Sequence, residues 1–171
     1  GLFGAYKIPE ENSDEFFVFD ILTDILSTGE SSRLYNELVY KKQMVSDIGC
    51  WVEGRELTGL LHYYAILLPG VRIDEVQNEI DRIFNDAVEG KITERELTKI
   101  KNRIETRNIY RLQTNLSKAD MLSHFKTFYN TPGMINSNLS RYMSVTLDDI
   151  QNAAKKYLSG RNRVILEYLP K

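Results

Sequence analysis

The sequence predicts an α+β domain, a two-layer fold in which a mainly antiparallel sheet packs against a block of helices. Three observations lead there. Strand-like runs lie at both ends and in the middle of the chain, consecutive helical patterns separate the middle runs from the last one, and strand and helix never alternate as a parallel βαβ array requires. The 171 residues show no internal repeat and no linker-like stretch, so 1–171 reads as one domain.

Leu2 to Ile8 reads as a strand, stopped by Pro9, which cannot donate to a ladder, and by the polar cluster Glu10 to Asp14. Ser13 is a suitable N-cap for a helix whose apolar set Phe17, Val18, Ile21, Leu22, Ile25 and Leu26 recurs at three- and four-residue spacing and stops before Gly29. Ser31 or Ser32 can cap a shorter helix with Leu34, Tyr35, Leu38 and Val39 on one face. From Met44 to Val52 and from Thr58 to Leu68, β-branched and aromatic residues concentrate on either side of Gly54, as expected of an antiparallel strand pair.

Asp74-x-x-Gln77 predicts the start of a helix carrying Val76, Ile80, Ile83, Phe84 and Val88, ended by Gly90. Thr93-x-x-Glu96 is a capping box, opening a helix with Leu97, Ile100 and Ile104 inward that runs to about Leu112. Residues 116–129 repeat the period through Leu116, Met121, Leu122, Phe125 and Phe128 until Asn130-Thr131-Pro132-Gly133 breaks it. A short helix returns near Ile135 to Met143. Thr146-x-x-Asp149 caps the last helix, with Ile150, Ala153, Ala154 and Tyr157 inward, and Arg163 to Leu169 forms the final strand before Pro170.

Composition excludes several classes of function. With 22 Lys+Arg against 24 Asp+Glu, no charge excess recruits nucleic acid or an anionic membrane. No run approaches 18 apolar residues, so membrane insertion is not expected. Zinc sites draw three or four ligands mainly from His and Cys, and the chain has only His62, His124 and Cys50. Neither H-E-x-x-H nor H-x-x-E-H can be built around either histidine, and both histidines read as hydrogen-bonded structural residues. Cys50, in an apolar stretch without a basic neighbour, reads as an inert core thiol. There is no G-x-S-x-G turn and no phosphate loop. The pair Asp20 and Asp24 reads as an acidic pair on an exposed helix side.

One charge pattern stands out. Lys99, Arg103, Arg107 and Arg111 occupy successive i, i+4 positions of one predicted helix, where like charges repel. It reads either as a solvated face partly neutralised by Glu94, Glu96 and Glu105, or as a docking surface for an acidic partner.

The segment Asp20-Ile21-Leu22-Thr23-Asp24-Ile25-Leu26-Ser27-Thr28-Gly29-Glu30-Ser31-Ser32-Arg33-Leu34-Tyr35-Asn36-Glu37-Leu38 resembles the opening helices of a domain in pitrilysin-like (insulinase-like) zinc metallopeptidases. The resemblance continues through the strand pair, through Ile92-Thr93-Glu94-Arg95-Glu96-Leu97 and through Val145-Thr146-Leu147-Asp148-Asp149-Ile150-Gln151, and ends at Asn162 to Pro170. It implies a metallopeptidase or mitochondrial-processing-peptidase-like α+β domain of the kind these enzymes use in pairs. On that resemblance this chain is the non-catalytic, second-type half, with no catalytic residue, cofactor or metal of its own. Zinc would sit in a partner domain bearing H-x-x-E-H, on the same polypeptide or on another. The parent would be a zinc metalloendopeptidase, this chain alone would be inactive, and a peptide substrate would occupy the chamber between the halves. The alternative reading is a non-proteolytic assembly scaffold derived from the same family. A start at Gly1 without Met fits a module excised from a larger polypeptide, in either the bacterial periplasm or the cytoplasm.

Some such domains supply an Arg and a Tyr, seven residues apart, that contact substrate. The register places Val39 and Ser46 at those positions, so both family residues are missing. Val39 cannot make charge-assisted bonds to a peptide carbonyl, and Ser46 is too short to replace a phenol. Tyr40 and Arg33 are the candidate displaced substitutes. The candidate chamber or docking residues are therefore Arg33, Tyr40, Ser46, Lys99, Arg103, Arg107 and Arg111.

Overall fold

A computed structural model describes residues 1–169. Strands β1 (Leu2–Ile8), β2 (Val45–Glu53), β3 (Gly59–Leu67) and β4 (Arg163–Glu167) form one antiparallel sheet in the order β2-β3-β1-β4. The helices are α1 (Asp14–Ser27), α2 (Ile73–Val88), α3 (Glu94–Arg111), α4 (Asn115–Tyr129), α5 (Met134–Ser144) and α6 (Leu147–Tyr157). The α+β class predicted from the sequence is the one observed. The Pro170 stop after the last strand lies outside the described residues.

Alternation along β1 explains how the layers meet. Leu2, Tyr6 and Ile8 are buried, whereas Phe3 and Lys7 point to the opposite face. Gly4 lies on the buried side because the Tyr63 ring crosses it: a Cβ there would sit 2.0 Å from the ring. Helix α1 lies on β2 and is itself covered by α3, α5 and α6, which is why it is apolar on nearly every side. Helices α2 and α6 complete the layer against β3 and β1. A separate small cluster of Met121, Phe125 and Met134 joins α4 to α5.

The caps at Ser13, Thr93 and Thr146 form as the sequence predicts, the latter two as full capping boxes. Four local expectations are corrected. Helix α2 starts one residue before Asp74, after Arg72, without a side-chain cap; Gln77 instead accepts from Tyr63 and donates to Asp81. The segment after Ser32 is a π-helix, Tyr35–Lys41, and Ser32 does not cap it, its hydroxyl being buried without a partner. Leu116, expected inward, is 83% exposed, and Leu122 and Phe128 are also exposed, because the side of α4 that meets the rest of the chain carries Met121, Phe125 and Tyr129. Asp20 and Asp24 do not lie on an open helix side: they face α3 and α5, where the Tyr142 hydroxyl donates to Asp20 at 2.6 Å.

Candidate functional site

With every helix of the layer on one side, the other face of the sheet is bare. Its outward positions form rows across the four strands. One row runs Trp51, His62, Ala5 and Val164; the next runs Gly49, Tyr64, Phe3 and Leu166. In a free-standing antiparallel sheet such positions are mostly polar. Here Phe3, Trp51, Ile66, Val164 and Leu166 are exposed.

The aromatic residues are ordered against each other. Trp51 stacks on His62 with ring centroids 5.1 Å apart and planes 16° from parallel, and Phe3 stacks on Tyr64 at 6.4 Å. Gly49 lets Tyr64 lie flat across β2, since a Cβ there would fall 2.8 Å from the ring, and the phenol donates to Asp47 at 2.7 Å. Small Ala5 leaves a trough between Phe3, His62, Val164 and Leu166. His62 Nε2 lies 3.0 Å from Glu53 Oε2, so the ring is fixed by a carboxylate on one side and the indole on the other.

The sequence-derived candidates separate into four places. Arg33 is internal cement: it meets Glu96 through two bonds of 2.7 and 2.8 Å, donates to the Lys91 carbonyl at 2.7 Å and approaches Asp86 at 3.5 Å. Burial raises the Glu96 carboxyl, but the Arg33 guanidinium and the Thr93 donors outweigh it and hold it down at about 2. Glu96 is thereby committed to Arg33 and Thr93 rather than to the basic stripe. Tyr40 is 74% exposed and lines a cleft with Glu30, Ser31, Tyr35 and Asn36. The π-helix matters to that cleft. Five residues in a π-helix bring Tyr40 back near the side of Tyr35, whereas five in an α-helix, at 3.6 residues per turn, would carry it well around. Lys99 reaches the same cleft by donating to the Ser31 hydroxyl at 2.5 Å.

Ser46 lies at the bulged start of edge strand β2 and donates to the Ile66 carbonyl at 3.2 Å, while Val39 packs against the core. Arg103, Arg107 and Arg111 share one groove on the outer side of α3. Asp20 and Asp24, not Glu94 or Glu105, are the carboxylates closest to that stripe, 3.9 and 3.8 Å from Arg107. Burial first, and then the like charge of Asp24, raise the Asp20 carboxyl above its ordinary range.

The donor chemistry does not fit zinc. His124 is bound to Glu11 at 3.1 Å as His62 is to Glu53, and among the described residues no three His, Cys, Asp or Glu side chains gather where they could hold a metal ion. Burial pushes the Cys50 thiol up to about 12, so at neutral pH it stays protonated in the core. Among the described residues no helix is long and apolar enough to cross a membrane. Sequence reasoning missed the bare aromatic face. The signal was there in the outward alternation of Phe3 and Ala5 in β1 and of Val164 and Leu166 in β4, once it is known that no helix covers them.

Solved structures share this fold. A protease from Helicobacter pylori superposes with a TM-score of 0.89 at 22% identity, over 96% of this chain and 40% of that one. An inactive peptidase domain from Bordetella parapertussis superposes with a TM-score of 0.88 at 22% identity, over 99% of this chain and 92% of that one. The curated zinc protease PqqE of Helicobacter pylori is 24% identical over 153 residues, 90% of this chain but 34% of that protein, so the chain spans about a third of that relative's length. The family model for the peptidase M16 inactive domain matches residues 2–104, and the chain belongs to that family.

Proposed function

We propose that this chain is the non-catalytic half of a zinc metallopeptidase, packing against an H-x-x-E-H domain carried elsewhere on the same polypeptide or on a partner chain and walling the chamber that receives peptide substrate. The observation that carries the proposal is the bare sheet face. Helices cover one side only, and the other presents Phe3, Trp51, Ile66, Val164 and Leu166 to whatever adjoins it. An apolar surface of this kind marks an interaction site. Zinc and the general base belong to the adjoining domain. Edge strand β4 adds a row of unpaired backbone groups beside the apolar face, ready to continue into a second sheet. The missing Arg and Tyr, at Val39 and Ser46, leave this half to supply shape and packing, with Tyr40 in its cleft as the exposed phenol nearest that region.

The test is co-expression with the H-x-x-E-H-bearing part of the parent polypeptide or with its partner chain. Hydrolysis of a quenched-fluorescent peptide library should rise when this chain is present, and the emission of Trp51, the sole tryptophan, should shift to the blue as it is covered. A Trp51→Asp, Val164→Asp double variant should lose both effects. A complex that forms without any gain in hydrolysis would favour the assembly scaffold instead, and failure of the double variant to weaken the complex would remove the sheet face from the interface.

A further inference from the structure

The outer side of α3 is separated from the bare sheet face by α1 and carries a different chemistry. Asn102, Arg103, Thr106, Arg107, Tyr110 and Arg111 line one shallow groove there. Among the described residues, Arg95, Arg103, Arg111 and Arg161 take part in no salt bridge, while Arg33, Arg55, Arg72, Arg82, Arg141 and Arg163 each meet a carboxylate; of the four, Arg103 and Arg111 share this groove. Arg107 sits between them, 3.8 to 3.9 Å from Asp20 and Asp24 on α1, so its guanidinium is positioned from below while 46% of the side chain faces solvent. The facing groups are thus two carboxylates against three guanidiniums, and Asp20 also holds the Tyr142 hydroxyl of α5. Tyr110, 63% exposed, gives the groove an apolar floor. A chain with balanced overall charge thus places three arginines in one groove, on a helix where their spacing is mutually repulsive.

The spacing identifies the shape of a complementary ligand. Successive i, i+4 positions rise about 6 Å along a helix. Alternate residues of an extended strand advance about 6.6 Å. Three carboxylates at every second residue of an extended peptide therefore span about 13 Å, against about 12 Å for Arg103 to Arg111, a difference that flexible arginine side chains absorb. Consecutive acidic residues point to opposite sides of an extended chain and offer only half their charge to one face. We propose that this groove docks an extended acidic segment of a partner protein, with Asp or Glu at alternate positions facing the three arginines and the residues between them turned to solvent.

Fluorescence anisotropy on the full chain tests it, with a labelled peptide carrying Glu-Gly-Glu-Leu-Glu as the probe. Comparison peptides carry the same residues as Glu-Glu-Glu-Gly-Leu, and a single-stranded oligothymidylate covers the phosphate polyanion. The alternating peptide should bind more tightly than the clustered one, and binding should weaken as salt rises from about 20 to about 300 mM. The Arg103→Glu, Arg111→Glu double variant, which breaks no native ion pair, should weaken it about ten-fold or more. Equal binding of the two peptides, an unaffected double variant of native circular dichroism, or tighter binding of the oligothymidylate through the same arginines would each overturn the proposal. None of these outcomes involves the catalytic partner, so they leave the sheet-face reading to its own test.

Discussion

Replacing Arg33 with Ala removes the latch between the start of the π-helix and the α2–α3 turn. The guanidinium makes two charge-assisted bonds to Glu96 at 2.7 and 2.8 Å and a third to the Lys91 carbonyl at 2.7 Å, with the two side chains 20% and 29% exposed. Glu96 is held at about 2 against an ordinary 4.5. In a dry site that difference, which Arg33 shares with the Thr93 donors, would be worth about 3 kcal/mol. Water reaches this pair, which cuts the figure to about 1–2 kcal/mol. Losing the carbonyl bond adds about 1 kcal/mol. A total of about 2–3 kcal/mol lowers Tm by about 4–10 °C for a chain of this length. Because the folded value lies below the unfolded one, the Glu96 contribution is complete above about pH 5 and is lost as pH falls towards 2. Thermal melts followed by circular dichroism at pH 7, 5 and 3 should therefore show a gap between parent and variant that is full at the first two and narrows at the third. A gap below about 2 °C at pH 7, or one independent of pH, would refute the assignment of Arg33 as a structural latch.

Three further outcomes follow from the packing. Gly4→Ala places a methyl 2.0 Å from the Tyr63 ring, and should destabilise by about 3 kcal/mol or more in urea unfolding, with loss of near-ultraviolet aromatic signal. Cys50 should resist a thiol-specific disulfide reagent at pH 8 in the native state and react fully in denaturant, since burial pushes its thiol up to about 12; rapid native labelling would contradict its place in the core. Phe125→Ala should cost about 3 kcal/mol, whereas Leu116→Ala, on the same helix but exposed, should change stability by less than about 0.5 kcal/mol.

The elements legible in the sequence were those with local physical signatures. Ser13, Thr93 and Thr146 announce helix starts because each satisfies amide groups within its own first turn. Periodicity found α1 and the β2–β3 pair because their side chains meet one continuous core. What periodicity cannot show is how many faces are covered. In α4 the apolar residues Leu116, Leu122 and Phe128 fit a buried stripe, yet the ones the fold buries are Met121 and Phe125. Asp20 and Asp24 look solvent-facing on a single helix, and only the approach of Arg107 and Tyr142, about 80 to 120 residues away, gives them a setting. The π-helix was hidden for a different reason. Its apolar spacing is compatible with an α-helix, and the extra residue per turn shows in the folded chain, as in the bond from Lys42 N–H to the Glu37 carbonyl, with left-handed Gln43 following. In the candidate site, the basic residues Arg103, Arg107 and Arg111 were readable from spacing alone, whereas the role of Arg33 depends on Glu96, 63 residues away.

The two surfaces argued above also differ in what they cost the chain by itself. An exposed arginine stripe is well hydrated and favours solubility. A bare face carrying Phe3, Trp51, Val164 and Leu166 beside the open edge of β4 does the reverse: it leaves apolar area unburied and offers backbone groups to any passing strand. Edge strands elsewhere are commonly protected by charge or proline, but outward β4 offers Val164 and Leu166. Under the proposed function an adjoining domain would cover the same residues. Sedimentation of the isolated chain should accordingly show reversible self-association at high protein concentration. Val164→Lys, which places a charge on the outward face without touching the core, should abolish that association while leaving Tm within about 2 °C of the parent. A chain that stays monomeric at millimolar concentration would mean that the face is adequately solvated as it stands, and the main reason for assigning it a covering domain would be gone.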